Sequence, residues 1–224
     1  MNVKQFYQNM CGVYMKRIVC LLGALVITPL SYAAAEPYAA VSGGLSLVNT
    51  SNVTNGGTVY GYHYTGGPEV SVAGGYRIDR HRFELEYSYK KTPVNTISKP
   101  VTITLPTIPP TTGTITVTNA ENDADLTVSS YMANYYLNIY ETRVTPFVGA
   151  GIGILSGELS SPASNANGIT LGMQFSAGAT YHLNNRFDLD LMYRYQFANS
   201  SIKGNATAVS YGSSNFSGGV RCYF

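Results

Sequence analysis

The sequence predicts an all-β fold: an eight-stranded antiparallel transmembrane up-and-down β-barrel, preceded by a cleaved signal peptide. Three observations predict it. Period-two segments such as RFELEYSYK (82–90) and RFDLDLMYRYQF (186–197) set charged or small residues between aromatic and aliphatic ones. The connections between such segments alternate between long and tight. Past an apolar leader, no apolar run is long enough for a membrane helix.

The leader comes first. Met15-Lys16-Arg17 is a basic opening, Ile18 to Leu30 is an apolar run of 13 residues, and Ser31 to Ala35 (SYAAA) supplies small residues. That order predicts a secretory signal over residues 1–35, cleaved between Ala35 and Glu36; the run is too short for a comfortable transmembrane anchor. Residues 1–14 extend the leader, or the true start is Met15. Cleavage removes Lys4, Lys16 and Arg17, leaving 11 basic against 12 acidic residues. No basic run remains, so nucleic acid is not an expected partner. Cys20 lacks the residues that precede a lipidated cysteine. The mature chain keeps only Cys222, which excludes an internal disulfide or a cysteine metal cluster.

Eight strands follow in residues 36–224. The first, 38–47, turns Ser42, Gly44 and Ser46 to one face. The second, 69–78, sets Val70, Val72, Gly74, Tyr76 and Ile78 against Glu69, Ser71 and Arg77. The third, 82–91, sets Phe83, Leu85, Tyr87 and Tyr89 against Arg82, Glu84, Glu86 and Lys90. The fourth is 127–139. The fifth, 144–155, carries Gly149, Gly151 and Gly153 on the inner face, and the sixth is 169–183. The seventh, 187–197, opposes Phe187, Leu189, Leu191, Tyr193, Tyr195 and Phe197 to Asp188, Asp190 and Arg194. The eighth, 206–224, opposes Phe216, Gly218, Val220, Cys222 and Phe224 to Arg221.

Long connections are expected at about 48–68, 92–126, 156–168 and 198–205. Tight ones fall at Asp79-Arg80-His81, Tyr140 to Arg143 and Asn184-Asn185. An even strand count with loops sorted by length places both termini in the periplasm and the long loops outside. A Greek-key sandwich has no reason to sort its loops this way. Ten residues at about 3.3 Å each, tilted by roughly 40°, cover about 25 Å, the apolar height of such a barrel. Outer-membrane lipid is the partner of the apolar face. Slipping the third strand by one residue would put Glu84, Glu86 and Lys90 into hydrocarbon, at a cost of several kcal/mol. Trp is absent, and the 19 tyrosines supply the interfacial rings.

The chain resembles the opacity-protein and OmpA/OmpX-like family of small outer-membrane barrels. The resemblance rests on AGGYRIDRHRFELEYSY (73–89), TPFVGAGIGI (145–154), SAGATYHLNNRFDLDLMYRY (176–195) and NFSGGVRCYF (215–224), and covers about 38–224. It implies an eight-stranded barrel inserted by the outer-membrane assembly machinery. That machinery would read a C-terminal signal of Phe216, Val220, Cys222 and Phe224, with Cys222 standing where the family has an aromatic. The second-third and sixth-seventh strand pairs also resemble each other, through duplication or through convergence under shared constraints.

The inward charges give the expectation for the lumen. Glu69, Glu84, Glu86, Asp188 and Asp190 face Arg77, Arg82, Lys90, Arg194 and Arg221, five against five. An eight-stranded barrel is narrow enough for side chains to fill, so these predict an ion-paired plug. The functional alternative is a small-solute porin whose selectivity those charges set. Across the first tight turn, Glu69 stands opposite Lys90, or Arg77 opposite Glu84 if a bulge intervenes. Asp188 and Arg221 are expected partners on neighbouring strands.

The second long loop contains VTITLPTIPPTTGTITVT (101–118), which reads as a hairpin projecting beyond the membrane or extending the barrel wall. Its exposed edges make the 99–119 segment the candidate site for an extracellular protein ligand, an adhesin reading. Catalysis is not expected. His63 lies in the first long loop without a nearby acid, His81 sits in a turn, and His182 faces inward as a lumen hydrogen-bonder. No Ser-His-acid spacing, metal cluster or phosphate loop is evident, and GAGIG (149–153) lies within a strand with no helix after it. No cofactor is expected.

Overall fold

The computed structural model describes residues 35–49, 51–55, 58–105, 111–120, 124–160, 166–199, 202–203, 207–209 and 211–224. Residues 1–34, to which the expected leader and the alternative start at Met15 belong, lie outside the described residues. Eight long strands form the wall: β1 (Ala35–Val48), β2 (Gly67–Ile78), β3 (His81–Leu105), β4 (Asp125–Asn138), β5 (Val144–Ser160), β6 (Ala166–His182), β7 (Phe187–Ala198) and β8 (Gly212–Tyr223). Each pairs antiparallel with the next, and β1 closes on β8 from Tyr38↔Tyr223 to Val48↔Ser213. Closure leaves the wall without an edge.

Alternation sets the two faces. Along β3, Arg82, Glu84, Glu86, Ser88 and Lys90 are buried, while Phe83, Leu85, Tyr87 and Tyr89 are exposed. The exposed set continues around the wall through Val41, Val72, Tyr131, Ile152, Phe175, Leu189 and Phe216. Aromatic neighbours pair across strands, with ring centroids 5.0 Å apart for Tyr87–Tyr131 and for Tyr193–Phe216. An apolar outer band around a polar interior is the inverse of a soluble fold.

Tight turns hold one end. Between β2 and β3 only Asp79 and Arg80 intervene, with Ile78 opposite His81 and Asp79 at a φ of 49°. Aspartate tolerates that left-handed conformation better than most residues. Between β6 and β7, Asn184 Oδ1 accepts hydrogen bonds from the backbone N–H groups of Arg186 (2.8 Å) and Phe187 (3.0 Å). Between β4 and β5, Thr145 Oγ1 donates to the carbonyl of Thr142 at 2.9 Å.

At the other end the strands outrun the sequence-based boundaries. β3 continues to Leu105 and pairs with Thr111–Ala120, so the 99–119 segment extends the wall strand instead of standing apart from it. β5 and β6 pair as far as Leu159↔Ala166, which reduces the expected 156–168 loop to residues 161–165, outside the described set. The buried residues Leu155 and Leu159 give this extension an inner face and explain it. The expected eighth strand also divides. Thr207–Val209 pairs with Ser51–Asn55, and the wall strand begins only at Gly212.

These extensions build a second sheet that the sequence reading lacked. Its order is Ile202–Lys203, Thr207–Val209, Ser51–Asn55, Thr58–Tyr64, β3, Thr111–Ala120. It gathers the first, second and fourth long connections into one lobe.

Candidate functional site

The lumen is the candidate site, because the buried charged side chains Glu69, Arg82, Glu84, Glu86, Lys90, Asp188, Arg194 and Arg221 converge there. Three tiers follow the barrel axis from the termini outward.

In the first tier Arg221 of β8 reaches two aspartates of β7. Its Nη1 lies 3.4 Å from Asp188 Oδ2, its Nη2 donates to Asp190 Oδ2, and its guanidinium stands 5.0 Å from the Tyr38 ring centroid. Asp188 and Arg221 are register partners, as the sequence indicated.

The second tier is centred on Arg194, whose side chain is 1% exposed. It donates to Glu69 Oε1 of β2 at 3.1 Å and to Glu86 Oε2 of β3 at 2.6 Å. Lys90 stands 3.7 Å from Glu69 Oε1, and the unbulged register places those two residues opposite each other. A ring of neutral groups backs this tier. Lys90 Nζ donates to Gln196 (2.9 Å), Gln196 to Gln174 (3.0 Å), Gln174 to Asn134 (2.7 Å) and Asn134 to Glu84 (3.4 Å). Glu84 also accepts from the hydroxyls of Tyr38 (3.1 Å) and Tyr136 (3.3 Å). Such donors stabilise a buried carboxylate in place of a cation.

The third tier is apolar. Val48, Tyr62, Val94, Ala124, Leu126, Val128, Met132, Leu155, Leu159 and Tyr211 pack together at the long-connection end. The sequence reading assigned the apolar residues of each strand to lipid and missed this cluster. Leu126 and Val128 share the inward parity of Ser130 and Asn134 on β4, which is the signal that identifies them.

Two residues of the expected ion network differ from the expectation, Arg77 in its place and Arg82 in its partners. Arg77 is at the mouth, where it bonds Glu36 (Nε to Oε2, 2.7 Å) and lies 4.6 Å from the Tyr223 ring centroid. Register explains this: Arg77 faces Arg82 across the hairpin and Glu36 across the β1–β2 pair, so it turns toward the carboxylate. Arg82 is buried without an ion pair within reach. Its guanidinium lies over the Phe147 and Tyr136 rings, at 4.5 Å and 4.8 Å from their centroids. A cavity of about 30 Å³ between Arg82, Glu84, Glu86 and Asp190 is the space left in this part of the lumen.

The inward glycines of β5 make room for this packing. A Cβ on Gly149 would collide with the Tyr136 ring, one on Gly151 with the Asn134 side chain, and one on Gly153 with the Tyr131 carbonyl.

At the terminus end the barrel opens into a vestibule of about 720 Å³, lined by Arg77, Asp79, Glu141, Arg143, His182 and Asp188 among others. Here the fold assembles a relay that the sequence spacing did not reveal. His182 Nε2 lies 3.0 Å from Thr145 Oγ1, and Nδ1 lies 2.7 Å from Asp188 Oδ1. Thr145 is 1% exposed, and its Oγ1 donates to the Thr142 carbonyl and accepts from the Thr142 N–H. The relay fixes the mouth, and His182 is a lumen hydrogen-bonder. His81 begins β3 and bonds Tyr135 Oη at 2.7 Å, while His63 lies on Thr58–Tyr64. Among the described residues no cluster of His, Cys, Asp and Glu is arranged to hold a metal ion.

Ala35 and Glu36, between which cleavage was expected, occupy the start of β1, opposite Ile78 and Arg77. Phe216, Val220 and Phe224 lie exposed along the outer face of the final segment, with Cys222 half-buried between them.

A closed antiparallel barrel with an apolar outer band and a filled, charged interior defines a membrane-spanning β-barrel protein. The chain belongs to the outer membrane protein beta-barrel domain family, whose profile matches residues 18–224. It is a bacterial outer-membrane protein. Among solved structures it is similar to Neisserial surface protein A (NspA), with 18% identity over 85% of this chain and 99% of that one, at a TM-score of 0.54. OprG from Pseudomonas aeruginosa aligns at 14% identity over 84% of this chain and 97% of that one, with a TM-score of 0.48. The attachment invasion locus protein Ail of Yersinia pestis aligns at 17% identity over 83% and 99%, with a TM-score of 0.38. The first of these supports the fold alone. A comparison with curated proteins finds no match.

Proposed function

We propose that this chain is a structural and interaction protein of the outer membrane, with a non-conducting lumen. Its termini face the periplasm and its long connections face the surroundings. The observation that carries the reading is Arg194, 1% exposed and bridging Glu69 and Glu86 across the lumen, with the apolar third tier above it. An ion crossing the barrel would have to break a desolvated ion pair and then pass a hydrocarbon layer. Either step is costly in a poorly hydrated interior.

The final strand presents Phe216, Val220 and Phe224 outward, available to an assembly machinery that reads alternate apolar residues. Interaction with an extracellular protein is a second reading. It is favoured by the hairpin of β3 with Thr111–Ala120, which begins beyond Pro93↔Asp125, the last pairing of β3 with β4.

Uptake of small sugars and salts into liposomes containing refolded residues 36–224 tests the proposal. The expected rate equals that of protein-free liposomes. Uptake that rises in proportion to the amount of folded barrel would establish a porin instead.

A further inference from the structure

The strand Thr111–Ala120 has the sequence TTGTITVTNA and pairs with β3 from Thr96↔Ala120 to Leu105↔Thr111. Among the described residues no strand pairs with its other edge. Natural sheets protect such edges with charge, proline, a bulge or brevity. This strand has ten residues and carries no charge, no proline and no register shift. From Pro93 to Leu105, β3 spans roughly 40 Å along its own axis, which takes the edge well clear of the last wall pairing.

Resting on the outward orientation proposed above, we infer that Thr111–Ala120 is a homotypic docking edge. It pairs antiparallel with the same strand of a second copy on a facing membrane. The strand's own pattern is compatible with that occupant. Outward backbone groups on one edge belong to residues of a single parity, so residues opposed across a dyad have numbers summing to an even value. The dyad then falls at Ile115 or at Thr116. In the first register Thr114 meets Thr116 and Ile115 meets itself. In the second, Thr114 meets Thr118, Ile115 meets Val117 and Thr116 meets itself. Both registers place Thr on Thr and β-branched aliphatic residues on each other, which are favourable cross-strand pairs. With no charge on the strand, a copy meets its twin without repulsion. Two barrels in opposed membranes point their lobes at each other, which is the arrangement that makes the strands antiparallel.

Charge substitution tests this. Thr114 and Thr116 are in register with Thr102 and Pro100, both uncharged residue types. Gram-negative host cells in two fluorescent colours display wild type, the T114K/T116K variant or the T114E/T116E variant. Heat-shifted gel mobility establishes equal amounts of folded barrel, and flow cytometry counts two-colour clusters. The expected result is clustering of wild type with wild type, at least tenfold less for Lys with Lys and for Glu with Glu, and recovery when Lys cells meet Glu cells. Recovery that persists at physiological salt, where charges more than about 8 Å apart are screened, reports direct pairing of the two edges. Dispersed wild-type cells, unchanged clustering of either variant with itself, or no recovery in the mixed sample would overturn the inference. An epitope inserted at Gly113 and labelled on intact cells reports orientation separately. If it is labelled while wild-type cells stay dispersed, the inference falls alone. If it is unlabelled, the orientation falls with it.

Discussion

Arg194 and Arg82 are each 1% exposed inside the same barrel, yet they are held in different ways. Arg194 is fastened to two carboxylates, at 3.1 and 2.6 Å. Arg82 lies across the faces of Phe147 and Tyr136, and among the described residues no hydrogen-bond partner reaches its three guanidinium nitrogens. The difference follows from register. Arg82 stands opposite Tyr136 on β4 and Arg77 on β2, so its wall neighbours offer a ring and a like charge. Arg194 projects across the lumen toward β2 and β3, where the carboxylates are. Glu84, which could have paired with Arg82, accepts instead from Tyr38, Asn134 and Tyr136. One arginine is therefore a cross-brace between distant strands, and the other a packing element with a charge.

That contrast is sharpest under substitution. Arg194→Ala leaves Glu69 and Glu86 buried without their shared partner and is expected to destabilise the barrel by about 3–5 kcal/mol. Reversible urea unfolding in lipid vesicles, followed by tyrosine fluorescence or gel mobility, measures it. A loss under 1 kcal/mol would mean the tier holds without its brace. Leu155→Ala in the third tier, at 0% exposure, should cost about 2–4 kcal/mol in the same assay through lost burial and a residual cavity. Arg82→Met keeps most of the volume, loses the contacts with two rings and also relieves a buried charge without hydrogen bonds; the two effects oppose each other, so a net change of about 1 kcal/mol or less is expected. If Arg82→Met proves as damaging as Arg194→Ala, Arg82 is an ion-pair partner after all. Lys91→Ala removes an exposed pair, 2.9 Å from Asp125, and should leave the unfolding midpoint unchanged.

The wall was largely legible in the sequence, since period-two alternation and turn residues are local signals. Strand faces, the tight turns, the Asp188↔Arg221 neighbours and the space left by Gly149, Gly151 and Gly153 could be read from it, while the choice of Glu69↔Lys90 over Arg77 opposite Glu84 came only with the register. Partners across the lumen could not. Arg194 meets Glu86 and Glu69 at sequence separations of 108 and 125 residues, and nothing in the chain encodes which long side chain crosses to which strand. Arg77 was misplaced and Arg82 was assigned ion pairing it does not make, because counting inward charges ignores who stands opposite whom. The apolar third tier was missed for a related reason. Hydrophobicity alone does not tell lipid from lumen, and only the parity of Leu126, Val128, Leu155 and Leu159 does. The outer sheet joins three separate connections, a long-range pairing with no local signature beyond β-branched residues and glycine.

The closed lumen is the central claim, and single-channel recording of refolded residues 36–224 in a planar bilayer tests it most directly. The account predicts an electrically silent bilayer at physiological salt, with silence lost only when the brace or the apolar tier is removed, as in Arg194→Ala combined with Leu155→Ala. Steady discrete openings of the wild-type protein, with an ion preference shifted by Glu86→Gln, would contradict it and define a narrow porin.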